Sequence, residues 1–153
     1  MKITYKGDYA LKALFQLALC YGEDRGVMSI AEISKHGDIP TKFLEQILLT
    51  LRKGGFVKSK RGADGGFVLA KHPKDITVGQ VLRFVEGPLE PIACIQEERY
   101  KGCKDVTSCI FRDLWKDVNN AISIVVDTVT FEELVLRYKE KNLSLESIYE
   151  YSI

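Results

Sequence analysis

Three of the four cysteines in this 153-residue chain fall within sixteen positions: Cys94, Cys103 and Cys109, spaced C-x8-C-x5-C. Between them lie the Glu97–Glu98 pair, Lys101, Gly102, Lys104 and Asp105, which mark an exposed loop. An unligated cysteine usually behaves as a small buried hydrophobe, so thiols gathered in a polar loop point to chemistry. Three thiolates can hold a metal ion or an iron–sulfur cluster and leave one coordination place for a different ligand. The spacing matches neither standard zinc pattern and no ferredoxin run, so it does not name the metal. Three unconnected reduced cysteines are the alternative.

The elements that must position this loop lie on both sides of it. From Tyr5 to Tyr21, Leu11, Leu14, Phe15, Ala18 and Leu19 recur at helical steps, and Cys20 extends that stripe as a core residue. Gly22 to Val27 reads as a turn. Ser29 and Glu32 form a capping box for a short helix ending near Gly37. Pro40 suits the first turn of a helix over Thr41 to Lys53 that buries Phe43, Leu44, Ile47, Leu48 and Leu51, then stops at Gly54-Gly55. Two helices joined by Lys35-His36-Gly37-Asp38 are the pattern of a helix-turn-helix, and a plain αα-hairpin is the blander reading. Thr41, Lys42, Glu45, Gln46 and Arg52 lie off the apolar stripe, where side chains can reach a major groove. Two β-prone runs, 56–61 and 67–69, flank the glycine-rich 62–66 and predict a hairpin carrying Lys58, Lys60 and Arg61. A basic hairpin directly after a helix-turn-helix is a wing whose cations meet phosphates, with Arg61 placed to enter a minor groove.

Beyond the wing, Thr77 to Val85 reads as a helix closed by Gly87-Pro88. After the cysteine loop, Ile110, Leu114, Val118, Ala121, Ile122, Val125 and Val129 make one apolar stripe over about six turns. Such a helix packs on its own core or on a second copy; dimerisation through Leu114, Val118, Ile122 and Val125 is the preferred reading. Thr130 and Glu133 suggest a second capping box for a helix reaching about Tyr138, followed by a tail with one possible turn at 144–149. The resulting plan is mainly α. It has a winged helix-turn-helix domain over 1–87 with a small β-hairpin wing, and a cysteine-rich loop over 88–106. A long C-terminal dimerisation helix and the helix after it occupy 107–141, and a tail 142–153.

Composition narrows the class. The chain is 46% hydrophobic and 28% charged, with a net charge of +1. That small number hides an asymmetry: residues 1–75 carry +5 and residues 76–153 carry −4. Within 40–61, six basic residues face one acid, Glu45, which favours a polyanion partner. No apolar run approaches the roughly 20 residues that span a bilayer. The N-terminus lacks a signal-peptide pattern, so a cytoplasmic location is expected. With two histidines, no Ser-His-Asp set, no phosphate loop and no paired carboxylates, a small metal-dependent enzyme is a remote alternative.

Five segments together carry a resemblance: MKITYKGDYA at 1–10, FLEQI at 43–47, LRKGGFV at 51–57, RGADGGFVL at 61–69 and TVTFEEL at 128–134. They are similar to the Rrf-two family of bacterial winged-helix transcriptional regulators, over nearly the whole chain. The resemblance implies a homodimer that binds double-stranded operator DNA through the recognition helix and wing. It places Gln46 and Arg61 at base-contacting positions, and Glu45 at an acidic position that restricts the operators accepted. Lys42 and Pro40 depart from small hydroxyl residues found beside that site in some relatives. Cys94, Cys103 and Cys109 match the cluster cysteines of the iron–sulfur branch, which hold a 2Fe–2S or 4Fe–4S cluster, although the first spacing is longer than the commonest form. One kind of relative has a histidine ligand three residues after the third cysteine, where this chain has Arg112. Another uses a carboxylate from the partner subunit, at the position of Asp8. The function so implied is operator binding controlled by cluster supply, redox state or nitric oxide. A cluster-free regulator of the same fold, acting through thiol oxidation or a protein partner, is the alternative.

Overall fold

The computed structural model describes residues 3–22, 26–96 and 100–150, the last seven of these by their backbone alone. The middle of the expected 22–27 turn, the Glu97–Glu98 pair and residues 151–153 of the expected tail lie outside the described residues. Six helices and one hairpin follow in order: α1 (Tyr5–Leu19), α2 (Ile30–Gly37), α3 (Thr41–Lys53), β1 (Val57–Lys60), β2 (Gly66–Leu69), α4 (Val78–Glu86), α5 (Ile110–Thr128) and α6 (Phe131–Glu150). Short 3-10 turns occupy Pro73–Asp75 and Ala93–Ile95. The architecture is the mainly α, winged helix-turn-helix arrangement expected from the sequence.

Helix α1 runs through the centre. Ala10, Ala13, Leu14, Leu17 and Ala18 are buried along one stripe, and the three alanines let neighbouring helices approach closely. Against it pack α2, α3, α4 and α6. The α2 start is the expected capping box: Ser29 Oγ accepts from the Glu32 N–H at 3.2 Å, and the Glu32 carboxylate accepts from the Ser29 N–H at 2.7 Å. Asp38 takes the left-handed conformation (φ 51°) that turns the chain from α2 into α3. Ser34 Oγ then donates to the Ile39 carbonyl at 2.7 Å and shares a 3.0 Å hydrogen bond with Thr41 Oγ1, which sets the angle between the two helices. The hairpin pairs Val57 with Leu69 and Lys60 with Gly66. Met28 adds a third stretch, exchanging two backbone hydrogen bonds with Phe67 at 2.7 and 3.0 Å. A Cβ on Gly66 would strike the Met28 carbonyl, so this position requires glycine.

Three expectations need correction. Phe43 is 48% exposed, not core: α3 buries Leu44, Ile47, Leu48 and Leu51, a stripe complete without it. Phe43 instead stacks on Tyr9, with the Lys42 ammonium 4.8 Å from its ring centre. Pro40 sits at the N-cap of α3, just outside the first turn. Helix α6 continues past Tyr138 to Glu150, through the segment read as a tail, because residues 139–150 contain no proline or glycine to stop it. Thr130 Oγ1 does accept from the Glu133 N–H at 3.2 Å, while the Glu133 carboxylate pairs with Arg137 one turn on.

The start of α1 is closed by a residue from another helix. One oxygen of Glu86, at the end of α4, accepts from the Thr4 N–H (3.0 Å), the Thr4 hydroxyl (2.6 Å) and the Gly7 N–H (2.9 Å). These bonds, the Thr4 hydroxyl first, hold the Glu86 carboxyl below its ordinary range. A Cβ on Gly7 would collide with that carboxylate. Glu86 therefore stabilises the fold above the usual glutamate value, near 4.3, and that stabilisation disappears as the pH falls through its lower folded value. Gly7→Ala and Glu86→Ala should each cost about 1–3 kcal/mol, and the double variant little more than the worse single one, since both break one contact. Urea unfolding of the four proteins at neutral pH and at pH 3 checks this. Additive losses, or a Glu86→Ala deficit undiminished in acid, would contradict it.

Candidate nucleic-acid interface and thiol site

Every polar residue singled out on α3 and the wing is exposed: Thr41, Lys42, Glu45, Gln46, Arg52, Lys58, Lys60 and Arg61. The apolar stripe of α3 is turned into the core, so the helix can present only its polar side outward. Lys58 and Lys60 lie on β1 and Arg61 follows it, at the mouth of the loop. A shallow apolar groove of about 520 Å³ lies beside this face, lined by Tyr5, Tyr9, Phe43, Gln46 and Ile47. The aromatic part of that groove was not anticipated. A signal existed in Tyr5 and Tyr9, four residues apart on one side of α1 and away from its alanine stripe.

The thiol loop begins where α4 ends. Leu89 is buried, and the chain then turns through Ala93–Ile95, a 3-10 turn that packs on α5. Cys94 is half-buried within that turn, Cys103 is exposed, and Cys109, half-buried, is the N-cap of α5. None of the three is in a disulfide. Arg112, at the position where a histidine ligand would stand, instead donates from Nε to the Cys94 carbonyl at 2.9 Å. Cys20 lies at the end of α1, packed against the core as expected. Three thiols free of disulfides suit iron or another thiophilic metal, so the donor chemistry fits a cluster. Among the described residues, however, no three Cys, His, Asp or Glu side chains are gathered closely enough to hold a metal ion.

Asp8 lies in the first turns of α1, where Thr4, not Asp8, is the cap. Its carboxylate is about half exposed and paired with Lys12 one turn on at 2.8 Å. That pairing raises the Lys12 pKa, chiefly through the hydrogen bond.

Helix α5 has no buried residue within the chain. Ile110, Phe111, Leu114, Trp115, Ile124 and Val125 are all exposed, while Val118 and Ile122 are half-buried. Its other side meets α4, where Arg83 grips the Asp127 carboxylate with both terminal nitrogens and reaches Ser123 Oγ at 3.2 Å. A Cβ on Gly79 would meet the Asp127 carboxylate, which passes directly over this glycine.

The chain matches the Rrf2 family, described as "Iron-dependent Transcriptional regulator", over residues 3–137. It belongs to that family. The HTH-type transcriptional regulator CymR of Bacillus subtilis is 37% identical over 134 residues, 88% of this chain and 89% of its own. The solved structure of that protein, "the Global Cysteine Regulator of B. subtilis", superposes with a TM-score of 0.75, covering 90% of this chain and 98% of that one. The regulator IscR of Aliivibrio salmonicida is 35% identical over 144 residues, 94% of this chain and 83% of its own. A solved IscR of T. potens superposes with a TM-score of 0.73 at 32% identity, covering 92% and 90%. This chain is therefore a DNA-binding transcriptional regulator of the Rrf2 family, not an enzyme, and the exposed faces of α3 and the wing are to be read in that light.

Proposed function

We propose that this Rrf2 protein works as a homodimer whose operator binding is controlled by an iron–sulfur cluster held by Cys94, Cys103 and Cys109. The observation that supports it best is that one helix serves both ends of the device. Cys109 caps α5, and the same helix is gripped near its other end by Arg83 of the DNA-reading half. A 2Fe–2S or 4Fe–4S cluster on these thiols supplies a redox-active crosslink, labile to oxidants and nitric oxide, between the loop and α5. Cys94, Cys103 and Cys109 would hold the cluster, and so joined they would order the loop against the first turn of α5. Arg83 and Asp127 then carry the position of α5 to α4 and, through Glu86, to the start of α1. The family description "Iron-dependent" accords with this reading. Asp8 of a second copy would supply the fourth ligand, a hard carboxylate that an effector could displace more readily than a thiolate. Within one chain that carboxylate is paired with Lys12.

A second reading has one observation in its favour. The likeness to CymR, described as a global cysteine regulator, is as strong as that to IscR, and on this reading the chain is a cluster-free regulator acting through thiol oxidation or a partner protein. Visible absorption after anaerobic purification separates the two. Cys94→Ala, Cys103→Ala and Cys109→Ala should each abolish the chromophore, while Cys20→Ala keeps it. Asp8→Ala should leave a chromophore that assembles but bleaches faster. Colourless protein after reconstitution with iron and sulfide would transfer the argument to thiol oxidation.

DNA is read by Thr41, Lys42, Glu45, Gln46 and Arg52 in the major groove, with Lys58 and Lys60 on phosphates and Arg61 in the adjoining minor groove. Arg61→Ala should weaken specific binding and flatten discrimination at a few operator positions. Lys58→Ala should weaken all sequences alike and lower the salt slope by about one. Mobility shifts of both variants at several salt concentrations test this, and unchanged binding in both would remove the wing from the interface.

The uncovered apolar side of α5 is covered by the same helix of the second copy. Val125→Lys introduces a charge there; sedimentation should show monomer, since an unpaired charge is costly to bury in such an interface. A variant that stays dimeric would place the interface elsewhere.

A further inference from the structure

Fourteen residues separate Cys94 from Cys109, yet the backbone carbonyls of both accept from one residue, Arg112. Arg112 donates its Nε–H to the Cys94 carbonyl at 2.9 Å, and its own N–H donates to the Cys109 carbonyl at 3.1 Å. The first bond is charge-assisted and half-buried, where competition from water is weaker than at the surface. The receiving segment is itself ordered. Ala93–Ile95 is a 3-10 turn closed by the Gln96 N–H donating to the Ala93 carbonyl at 3.1 Å. Without this tie, bringing Cys94 to the start of α5 carries the entropy cost of closing the intervening loop each time the site forms. With it, the backbones of Cys94 and Cys109 already share the frame of α5. Cys103, exposed on the loop between them, remains to be brought in.

We propose that Arg112 is the positioning residue of the thiol site, pinning Cys94 to the first turn of α5 so that Cys94 and Cys109 are pre-assembled before any metal arrives. The role of this tie in metal binding rests on the cluster reading above; the tie itself does not. Arg112 binds no iron. It takes the place of a ligand in the sequence while acting on the backbone of another ligand.

The test compares wild type, Arg112→Ala and Arg112→Gln. Glutamine is the informative variant, since its Nε2 lies as many bonds from Cα as the arginine Nε and donates without the charge. In metal-free native protein, iodoacetamide labelling of each cysteine is followed by peptide mass mapping. Arg112→Ala should accelerate labelling of Cys94 about tenfold, the factor expected for one charge-assisted bond, and leave Cys20 and Cys103 unchanged. Arg112→Gln should return Cys94 most of the way to wild type. After reconstitution with iron and sulfide, Arg112→Ala should release iron to a chelator about tenfold faster than wild type, with Arg112→Gln near wild type.

Unchanged Cys94 labelling in Arg112→Ala overturns the proposal. So does equal acceleration at Cys20, which reports general loosening of the fold. If wild type takes up no iron but Arg112→Ala still exposes Cys94 selectively, the positioning role stands and the cluster reading fails. If wild type loads iron and both labelling and release are indifferent to Arg112, the cluster reading stands and the positioning role fails.

Discussion

Two backbone hydrogen bonds join the halves of this protein, and the rest of the arrangement depends on them. The Val78 N–H donates to the Val129 carbonyl and the Phe131 N–H to the Ile76 carbonyl, both at 3.0 Å, making an antiparallel bridge between Thr77 and Thr130. Ile76 and Phe131, beside the bridge, are fully buried, so these polar groups have little alternative partner in water. The bridge fixes three things at once: the start of α4, the end of α5 and the start of α6. Phe131 and Val135 then enter the core formed by Leu14 and Leu17, and Tyr138 meets Phe15 edge-on at 5.4 Å. Arg83, in the last turn of α4, and Asp127, near the end of α5, add a second contact between the two helices. Because α5 is held here by backbone as well as by charge, its direction relative to the winged half is set by geometry that side-chain rotation cannot relax.

The fold was largely legible because its helices announce themselves locally. The 3.6-residue apolar period of α1 and α3, the Ser29–Glu32 box and the Gly54-Gly55 stop are all short-range signals, and the hairpin follows from glycines flanked by β-prone residues. The second half of α6 was missed for a related reason. Its residues after Tyr138 carry no clear apolar stripe, yet nothing in them breaks a helix, and the docked first turns provide the nucleus from which it extends. Phe43 was misplaced because a residue one step beside a buried stripe looks the same, by periodicity, as one within it. Only the tertiary position of Tyr9 decides that it lies outside.

The site was legible in its residue types and illegible in its ties. Cysteines in a polar loop and cations on a helix and hairpin are visible by composition alone. The contacts that position them span long distances in sequence: eighteen residues from Arg112 to Cys94, forty-four from Arg83 to Asp127 and eighty-two from Thr4 to Glu86. A glutamate at the end of α4 that closes the start of α1 has no local signature. Neither does a glycine over which a carboxylate from another helix passes, as at Gly7 and Gly79. Those two glycines sit in helices, where the residue type alone predicts only a small loss of helix propensity.

The fold does not by itself select the chemistry of control. Relatives named for cysteine regulation and relatives named IscR superpose on this chain almost equally, with TM-scores of 0.75 and 0.73. On the proposed reading, control comes from fixing the loop to the start of α5, whose other end is held by Arg83 and by the backbone bridge. A bond from Cys109 to Cys94 or Cys103 would do this, whether through a metal cluster or through sulfur alone. The discriminating information therefore lies in the loop and not in the helices. There, a set of three thiols favours a cluster over a simple oxidative switch, because one disulfide uses two of them and leaves the third without a role. On the proposed reading, that third thiol, on a loop where the Cys94 and Cys109 carbonyls both accept from Arg112, is what favours a cluster over a disulfide.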